Sequence, residues 1–520
     1  MKEPRKITLK NYLGYGVTDI LGSGAFAVMG AWLMFFYVTY CGLSPIEAGS
    51  ILFIARILDT VISPLVGYAT DNIGNTRIGR RFGRRRSFLL FCCPLLIIFS
   101  LMWVEGMHYF YYPTTYLLME VVAAMIIIPY EAIASEMTSD YKERTRLSAS
   151  RIIFAGLAAS LATFIPGQLF KLLGNQSAQA FLINGVIFTL LTMIAVIVTY
   201  FTTWERDAET REMRSAPGKP WNKLFSSIIA EMLTSLKVKA FRQLLLMYIL
   251  SFTALDLLSS VFAFFIIFAL NQDATLAANL MSVGIFCFGW GTAVFAWAFI
   301  RCKPARLLQL CYLVVMLCML AFTAFYFYQP SWMVMALYGI AFIYQLFKGG
   351  YVYLTWNIYP FIPDVDEVMT RRRREGIFAG MMTFVRKSTL GISALVVGAL
   401  LEMNGFVSGA TTQTRLATDT VAGIVCLGTL ALLLLAFIVS TRFKLDRHTH
   451  QILLKEVARL KETGGDLTGS TPETRVVIES LTGIKYENIW QDESSVHSHV
   501  SLIPAGKGET DSEEPATSDR

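Results

Sequence analysis

Residues 48–70 read AGSILFIARILDTVISPLVGYAT, and residues 71–86 continue as DNIGNTRIGRRFGRRR. A helix crossing the hydrocarbon core needs about 20 mostly apolar residues, and 48–70 supplies them. Two charges, Arg56 and Asp59, interrupt the run. A charge at the centre of a spanning helix costs about 2.5–3.5 kcal/mol on insertion scales, so such residues mark a pathway, a partner or a lining. The continuation carries Arg77, Arg80, Arg81, Arg84, Arg85 and Arg86. Loops that rich in arginine stay in the cytoplasm. The segment therefore reads as a spanning helix that enters from outside and ends inside, with ionised groups at mid-depth.

The sequence holds twelve such runs, at 14–40, 48–70, 87–105, 114–136, 149–170, 180–203, 242–270, 275–299, 306–328, 331–361, 377–401 and 420–442. They are continuously apolar, whereas barrel strands alternate over about 10 residues, so the fold class is an all-α membrane protein. The charge bias repeats at every second loop. Lys142, Arg144 and Arg146 lie between runs 4 and 5, Arg301, Lys303 and Arg306 between 8 and 9, and Arg371–Arg374 between 10 and 11. The long loop between 6 and 7 is equally basic, while the opposite loops carry only Lys171 and Arg415. Both termini are therefore expected in the cytoplasm. The first run is too long for a signal-peptide core and lacks a clear A-x-A site, so it reads as a retained helix.

The expected organisation is an N-terminal six-helix bundle at 1–203, a cytoplasmic central loop at 204–241, a C-terminal six-helix bundle at 242–442 and a cytoplasmic tail at 443–520. The tail reads as helical, then disordered from about 491. Thr471-Pro472-Glu473 has the order of an N-cap, a Pro at N1 and a first-turn acid. His448 and His450 do not share a helix face and read as part of a solvated tail rather than a metal site.

Composition agrees. The 520 residues are 54% hydrophobic and only 16% charged, with net charge +7 and mean hydropathy +0.52. A soluble chain carries about 25% charged residues. Abundant apolar surface excludes disorder over most of the length, and eight cysteines are too few for a disulfide-stapled domain. They show no metal-ligand spacing and read as small buried hydrophobes. HExxH, GxSxG and GxxxxGK[ST] signatures are not found in suitable context, which argues against a membrane enzyme. A channel would need a pore-lining repeat or filter, and none is found.

The charges inside the runs are Asp19, Arg56, Asp59, Glu120, Glu131, Glu136, Arg151, Asp256, Lys348, Arg386 and Lys387. A scaffold does not need them, because replacing buried ion pairs by apolar residues is often neutral. Arg56 and Asp59 sit at i, i+3, and either neutralise each other or leave Asp59 for a cation. Asp19 opens a Gly-rich stretch at lining depth. Arg151 either binds a ligand or snorkels to the basic loop. Glu136 and Arg386, near the cytoplasmic ends, read as gate or surface residues. Tyr130, Tyr353 and Trp356 are polar-tipped aromatics on apolar helices, suited to stack on the C–H face of a sugar.

Four ordered motifs carry a resemblance. Ile54–Gly67 resembles helix 2 of the glycoside–pentoside–hexuronide:cation symporters, the melibiose-permease-like branch of the major facilitator superfamily. Asp71 with Gly79–Arg86 is similar to that family's loop 2–3. Ile128-Pro129-Tyr130, Asp140–Leu147 and Arg151 resemble its helix 4 and loop 4–5. Ile362–Glu367, Arg373–Gly376 and Arg386-Lys387 resemble its loop 10–11 and helix 11. The resemblance covers residues 10 to 460.

It implies twelve helices in two bundles, with substrate at the midplane between them, and uptake of a sugar or glycoside coupled to H⁺ or Na⁺, with Li⁺ also used in the family. Asp19 and Arg151 match sugar-contacting positions, Asp59 a cation-holding acid, and Lys387 a lysine near both sites. The expected substrate-binding set is thus Asp19, Tyr130, Arg151, Trp356 and Lys387. The expected cation-coupling set is Asp59, Ser63 and Asp19, and the gating set is Asp71, Arg84, Arg85, Arg86, Asp140, Asp364 and Arg374. The sequence departs from the family at Ser63 and Ile127, where melibiose permease has acids. One carboxylate suits a proton, whereas Na⁺ wants several oxygen ligands. The basic lining (Arg151, Lys348, Lys387) is compatible with an anionic uronide or oligouronide. A lysolipid or amphiphile carrier of the same fold is the alternative, and an unusually apolar cavity would favour it. No cofactor, structural metal or nucleic-acid partner is expected. The chain is expected to act as a monomer among membrane lipids, in the bacterial cytoplasmic membrane.

Overall fold

The computed structural model describes residues 7–73, 76–138, 140–174, 178–205, 232–371 and 374–490. The chain from 491 and the centre of the loop between the halves, with Pro217 and Pro220, lie outside them. No strand occurs among the described residues. Among the described residues twelve long helices follow one another, with a short helix Arg77–Phe82 between the second and third: α1 Leu9–Thr39, α2 Pro45–Asn72, α3 Arg86–Leu101, α4 Tyr111–Met137, α5 Tyr141–Leu173, α6 Ala178–Thr202, α7 Lys239–Ala269, α8 Ala274–Arg301, α9 Pro304–Tyr328, α10 Met333–Ile358, α11 Glu375–Met403 and α12 Arg415–Thr441. Ten have stretches long and apolar enough to cross a membrane; α3 and the stretch Ala274–Val283 of α8 are shorter apolar segments.

Local chemistry sets the ends. Ser44 caps α2 in a reciprocal box with Glu47, and Pro45 takes the first helical position. Asp140 caps α5 by accepting from the Glu143 amide. The glycines after Asp19 coincide with a switch in α1 to π-helical turns at Ile20–Ala25 and again at Met29–Leu33. Such bulges turn side chains away from the regular helical register and cluster at functional positions.

The halves meet where α2 lies along α11 and α5 along α8. Glycine makes the first contact possible. A Cβ at Gly398 would lie 2.3 Å from the Pro45 carbonyl oxygen, and one at Gly49 2.6 Å from that of Ala394. Ser44 Oγ and the Ile46 amide both donate to Glu402 (2.6 and 2.9 Å), and Ser408 Oγ donates to the Leu43 carbonyl at 2.7 Å. With α2 running inward, all of these contacts belong to the outer ends, so the outer side is closed.

The cytoplasmic side of the C-terminal half differs from expectation. The segment after α10 forms a further helix, Ile362–Thr370, and two tail helices, Arg447–Glu462 and Pro472–Thr482, pack on it. The tail is therefore a docked element. His450, expected in solvent, lies 2.8 Å from Asp364 and stacks edge-on with Phe361, while His448 is exposed. Lys461 pairs with Glu367 at 2.6 Å, and the Trp490 amide donates to the Val368 carbonyl at 3.0 Å. The periodicity of the tail marked a helix but could not show its partner surface. Cys302 is exposed, against the reading of the cysteines as buried.

Candidate functional site

Two groups of ionised side chains form inside the helices. The first joins α1, α4 and α5. Arg151 donates from Nε to Asp19 Oδ2 at 2.7 Å and lies 3.2 Å from Glu131. The Tyr130 hydroxyl shares its one proton between the same Asp19 oxygen at 3.0 Å and the Tyr15 carbonyl at 2.9 Å. The Arg151 guanidinium lies 4.9 Å from the Tyr130 ring centre, a cation–π distance. Asp19 and Tyr130 are buried, and Arg151 is part-exposed. Glu131 has 55% of its side chain exposed, so the group is not sealed within the bundle. Arg151 thus pairs inward and does not snorkel.

The second group crosses between the halves. Lys387 of α11 places Nζ 2.8 Å from Asp59 Oδ2 of α2 and donates to Ser63 Oγ at 3.0 Å. Ser63 in turn donates to Asp59 Oδ1 at 2.9 Å. Arg56, one turn earlier, reaches Glu120 of α4 at 3.3 Å and lies over Phe26 of α1. Arg56 and Asp59 therefore do not satisfy each other. Their shared face is real, but partners on other helices outcompete the i, i+3 contact.

Beside this group, Arg386 of α11 holds Asp256 of α7 through two bonds of 2.5 and 2.9 Å. Asp256 is 3% exposed. Arg386, expected at a gate or surface, is instead the part-exposed half of a fork-to-fork pair with a buried acid. It lies over Phe252, which contacts Tyr248, whose ring meets Trp356 edge-on at 5.8 Å. Trp356, 39% exposed, thus belongs to the α7–α10 wall.

Four internal acids are thereby matched by four bases, namely Asp19 by Arg151, Asp59 by Lys387, Glu120 by Arg56 and Asp256 by Arg386. Lys348 of α10 has no carboxylate at ion-pair distance among the described residues. Tyr344, Lys348, Tyr351 and Thr355 recur at helical spacing, and the other three are buried against the bundle interior.

The expected substrate and cation sets therefore separate. Asp59, Ser63 and Lys387 come together, as do Asp19, Tyr130 and Arg151, but Asp19 is held by Arg151 and makes no described contact with Asp59. Trp356 joins neither group directly.

The described partners of the residues expected to gate lie in the same half, the central loop or the tail. Arg84 and Arg85 meet Glu136 at 2.9 and 3.4 Å, and Arg86 donates to the Tyr200 carbonyl at 2.7 Å. Asp140 caps α5, Asp364 meets His450, and Arg374 pairs with Asp366 at 2.6 Å. The side chain of Asp71 lies outside the described residues. Glu205, unremarked in the sequence, accepts from the amides of Arg84, Arg85 and Arg86 at 3.0, 2.7 and 2.8 Å. It fills the positive end of α3, and Gly83, at φ +92°, leaves room for it. An acid just after α6, facing a Gly-Arg-Arg-Arg turn, is the signal that could have found it.

The family described as MFS/sugar transport protein matches residues 14–447. The glucuronide carrier protein homolog of Escherichia coli (strain K12) is 23% identical over 473 residues, covering 88% of this chain and 97% of that one. The putative glycoside/cation symporter YagG of the same organism is 22% identical over 472 residues, covering 89% and 97%. A solved D-xylose-proton symporter superposes with a TM-score of 0.59 at 11% identity, over 84% of this chain and 98% of that one, a likeness of fold.

Proposed function

The chain belongs to the MFS/sugar transport protein family, and from that premise we propose that it is a cation-coupled symporter of a sugar or glycoside in the bacterial cytoplasmic membrane. It is a transporter, not an enzyme. Relatives matched over nearly their whole length, named for glucuronide and for glycoside with cation, support the reading. The observation that carries it is the Asp59–Lys387 pair, which ties α2 of one half to α11 of the other.

The two halves, 1–203 and 242–442, rock about the site they share. A cation taken up at Asp59 releases Lys387 and so loosens α2 from α11 at mid-depth. The coupling ion is H⁺. Asp59 is one carboxylate with one hydroxyl beside it, and the Glu120 carboxylate is already held by Arg56. A proton needs no more than that, while Na⁺ wants several oxygens.

The sugar lies between Asp19, Tyr130 and Arg151 on one side and Lys348 and Trp356 on the other. It is anionic, a uronide or oligouronide. Arg151 and Lys387 are neutralised by their partners, so Lys348 is the base left for a substrate carboxylate. The ionised interior supports a sugar over an amphiphile. Arg84, Arg85, Arg86, Asp140, Asp364, Arg374 and Asp71 re-pair between states at the cytoplasmic gate, and the closed outer ends correspond to the inward-facing state.

The test is uptake of neutral glycosides and uronides into vesicles under separate pH and Na⁺ gradients. A uronide accumulates under the pH gradient. Accumulation driven by Na⁺ alone overturns the proton assignment, and no gradient-driven accumulation of any panel sugar overturns symport.

A further inference from the structure

The cytoplasmic ends of α8 and α9, the end of α10 and the first turn of the tail enclose a cavity of about 480 Å³, away from the ionised groups described above. Its lining includes Arg301, Lys303, Arg447 and His448, over an apolar floor of Phe361 and Leu445. The volume is in the range of small-ligand sites. The one acid in the lining that could repel an anion, Asp446, is already engaged. Its Oδ1 accepts from the Thr449 amide at 2.9 Å and its Oδ2 meets Lys303 at 3.2 Å. Arg301, Arg447 and His448 are exposed, and the one described contact of the Arg301 guanidinium is with the Trp297 ring, 4.1 Å away.

The position of the cavity selects the ligand. Arg301 ends a spanning helix, and the residues just before it, Trp297 and Ile300, are 60% and 68% exposed on that helix. An exposed Trp at the end of a spanning helix marks the headgroup level. Basic pockets between spanning helices on the cytoplasmic side suit anionic headgroups. A free phosphate would use the cations but not the apolar floor. We propose that the cavity at the α8–α9 turn and the tail holds the headgroup of an anionic phospholipid, with Arg301 and Arg447 on the phosphate and the glycerol and first acyl carbons over Phe361 and Leu445. The bound lipid would link the tail to the membrane face of the C-terminal half.

The test uses the full chain purified in neutral detergent. Native mass spectrometry counts retained lipid after addition of phosphatidylglycerol or phosphatidylcholine, and thermal unfolding is followed with each lipid and with inorganic phosphate. The expected result is one phosphatidylglycerol retained at least ten-fold more tightly than phosphatidylcholine, and a Tm raised by phosphatidylglycerol but not by phosphate. Arg301→Gln with Arg447→Gln loses the preference and the Tm rise. Arg447→Glu, on the exposed face of the tail helix, provides a second variant should the double change impair folding, and it loses them too. Equal retention by wild type and variants overturns the proposal, as does a Tm rise with phosphate that matches phosphatidylglycerol.

Discussion

Lys387 of α11 lies 2.8 Å from Asp59 of α2, an ion pair joining the two halves of the molecule at mid-depth. Its lysine is 27% and its aspartate 10% exposed at the side chain. Breaking such a part-buried pair from one side strands the other charge, and the loss falls below the roughly 3–5 kcal/mol of a fully buried pair. Removing both charges costs much less. Asp59→Asn and Lys387→Met should each lower Tm, and the double variant should lose less than the sum of the two. Asp59→Asn should also abolish uphill accumulation while counterflow persists. An Asp59→Asn protein that still concentrates substrate would remove Asp59 from coupling.

Gly398 and Gly49 close the outer side by backbone contact. An added methyl at either meets a carbonyl oxygen, at 2.3 and 2.6 Å respectively, and the backbone cannot give way as a flexible side chain can. Alanine at both should push the outer ends of α2 and α11 apart. Spin labels at Leu172 and Met403, exposed outer-end positions of α5 and α11, should report a longer distance than in wild type. Gly291→Ala is the contrast. Its methyl would meet the Leu346 carbonyl within the C-terminal half, so Tm should fall with that distance unchanged. An unaltered distance in the Gly49–Gly398 double variant would mean the outer contact does not set the state.

Glu205 serves three amides at once, those of Arg84, Arg85 and Arg86. Hydrogen bonds to a charged group contribute about 1.5–3 kcal/mol each, and they fix the basic turn to the end of α6. Glu205→Gln keeps a single neutral acceptor oxygen. Hydrogen exchange at the amides of residues 84–86 should rise at least ten-fold, with little change in the outer helices. Unchanged protection would show that the turn is held by its arginine side chains instead.

What was legible in the sequence is what one segment decides alone. The run 48–70 needed only its length and its basic continuation. Thr471-Pro472-Glu473 announced a helix start, and the Thr471 side chain does accept from the Thr474 amide. The pairings were not legible. Arg56 has Asp59 beside it in sequence, yet its partner Glu120 lies on α4 and that of Asp59 on α11. No local pattern encodes which helices become neighbours. Arg386 misled for the same reason, since its nearness to the helix end said nothing of Asp256 on α7. The helix Ile362–Thr370 was missed because it is too short to read as a span, although Pro363 at its start followed by acids is an N-terminal signal.

On the proposed anionic-substrate reading, Lys348 is the group that carries the preference. The other four internal bases have carboxylates within 3.3 Å, so an arriving anion would have to displace a partner to use them. Lys348 offers a charge without that cost. It follows Tyr344 by one turn, with Nζ 5.7 Å from that ring's centre. A neutral glycoside gains little from the amine, whereas a uronide gains an ion pair. Lys348→Gln should therefore raise KM for a uronide at least ten-fold, about 1.4 kcal/mol, and leave KM for a neutral glycoside within about two-fold. Lys348→Arg, which keeps the charge, should recover part of the loss. Equal losses for both substrates would make Lys348 a packing residue, and the anionic preference would then have no group to carry it.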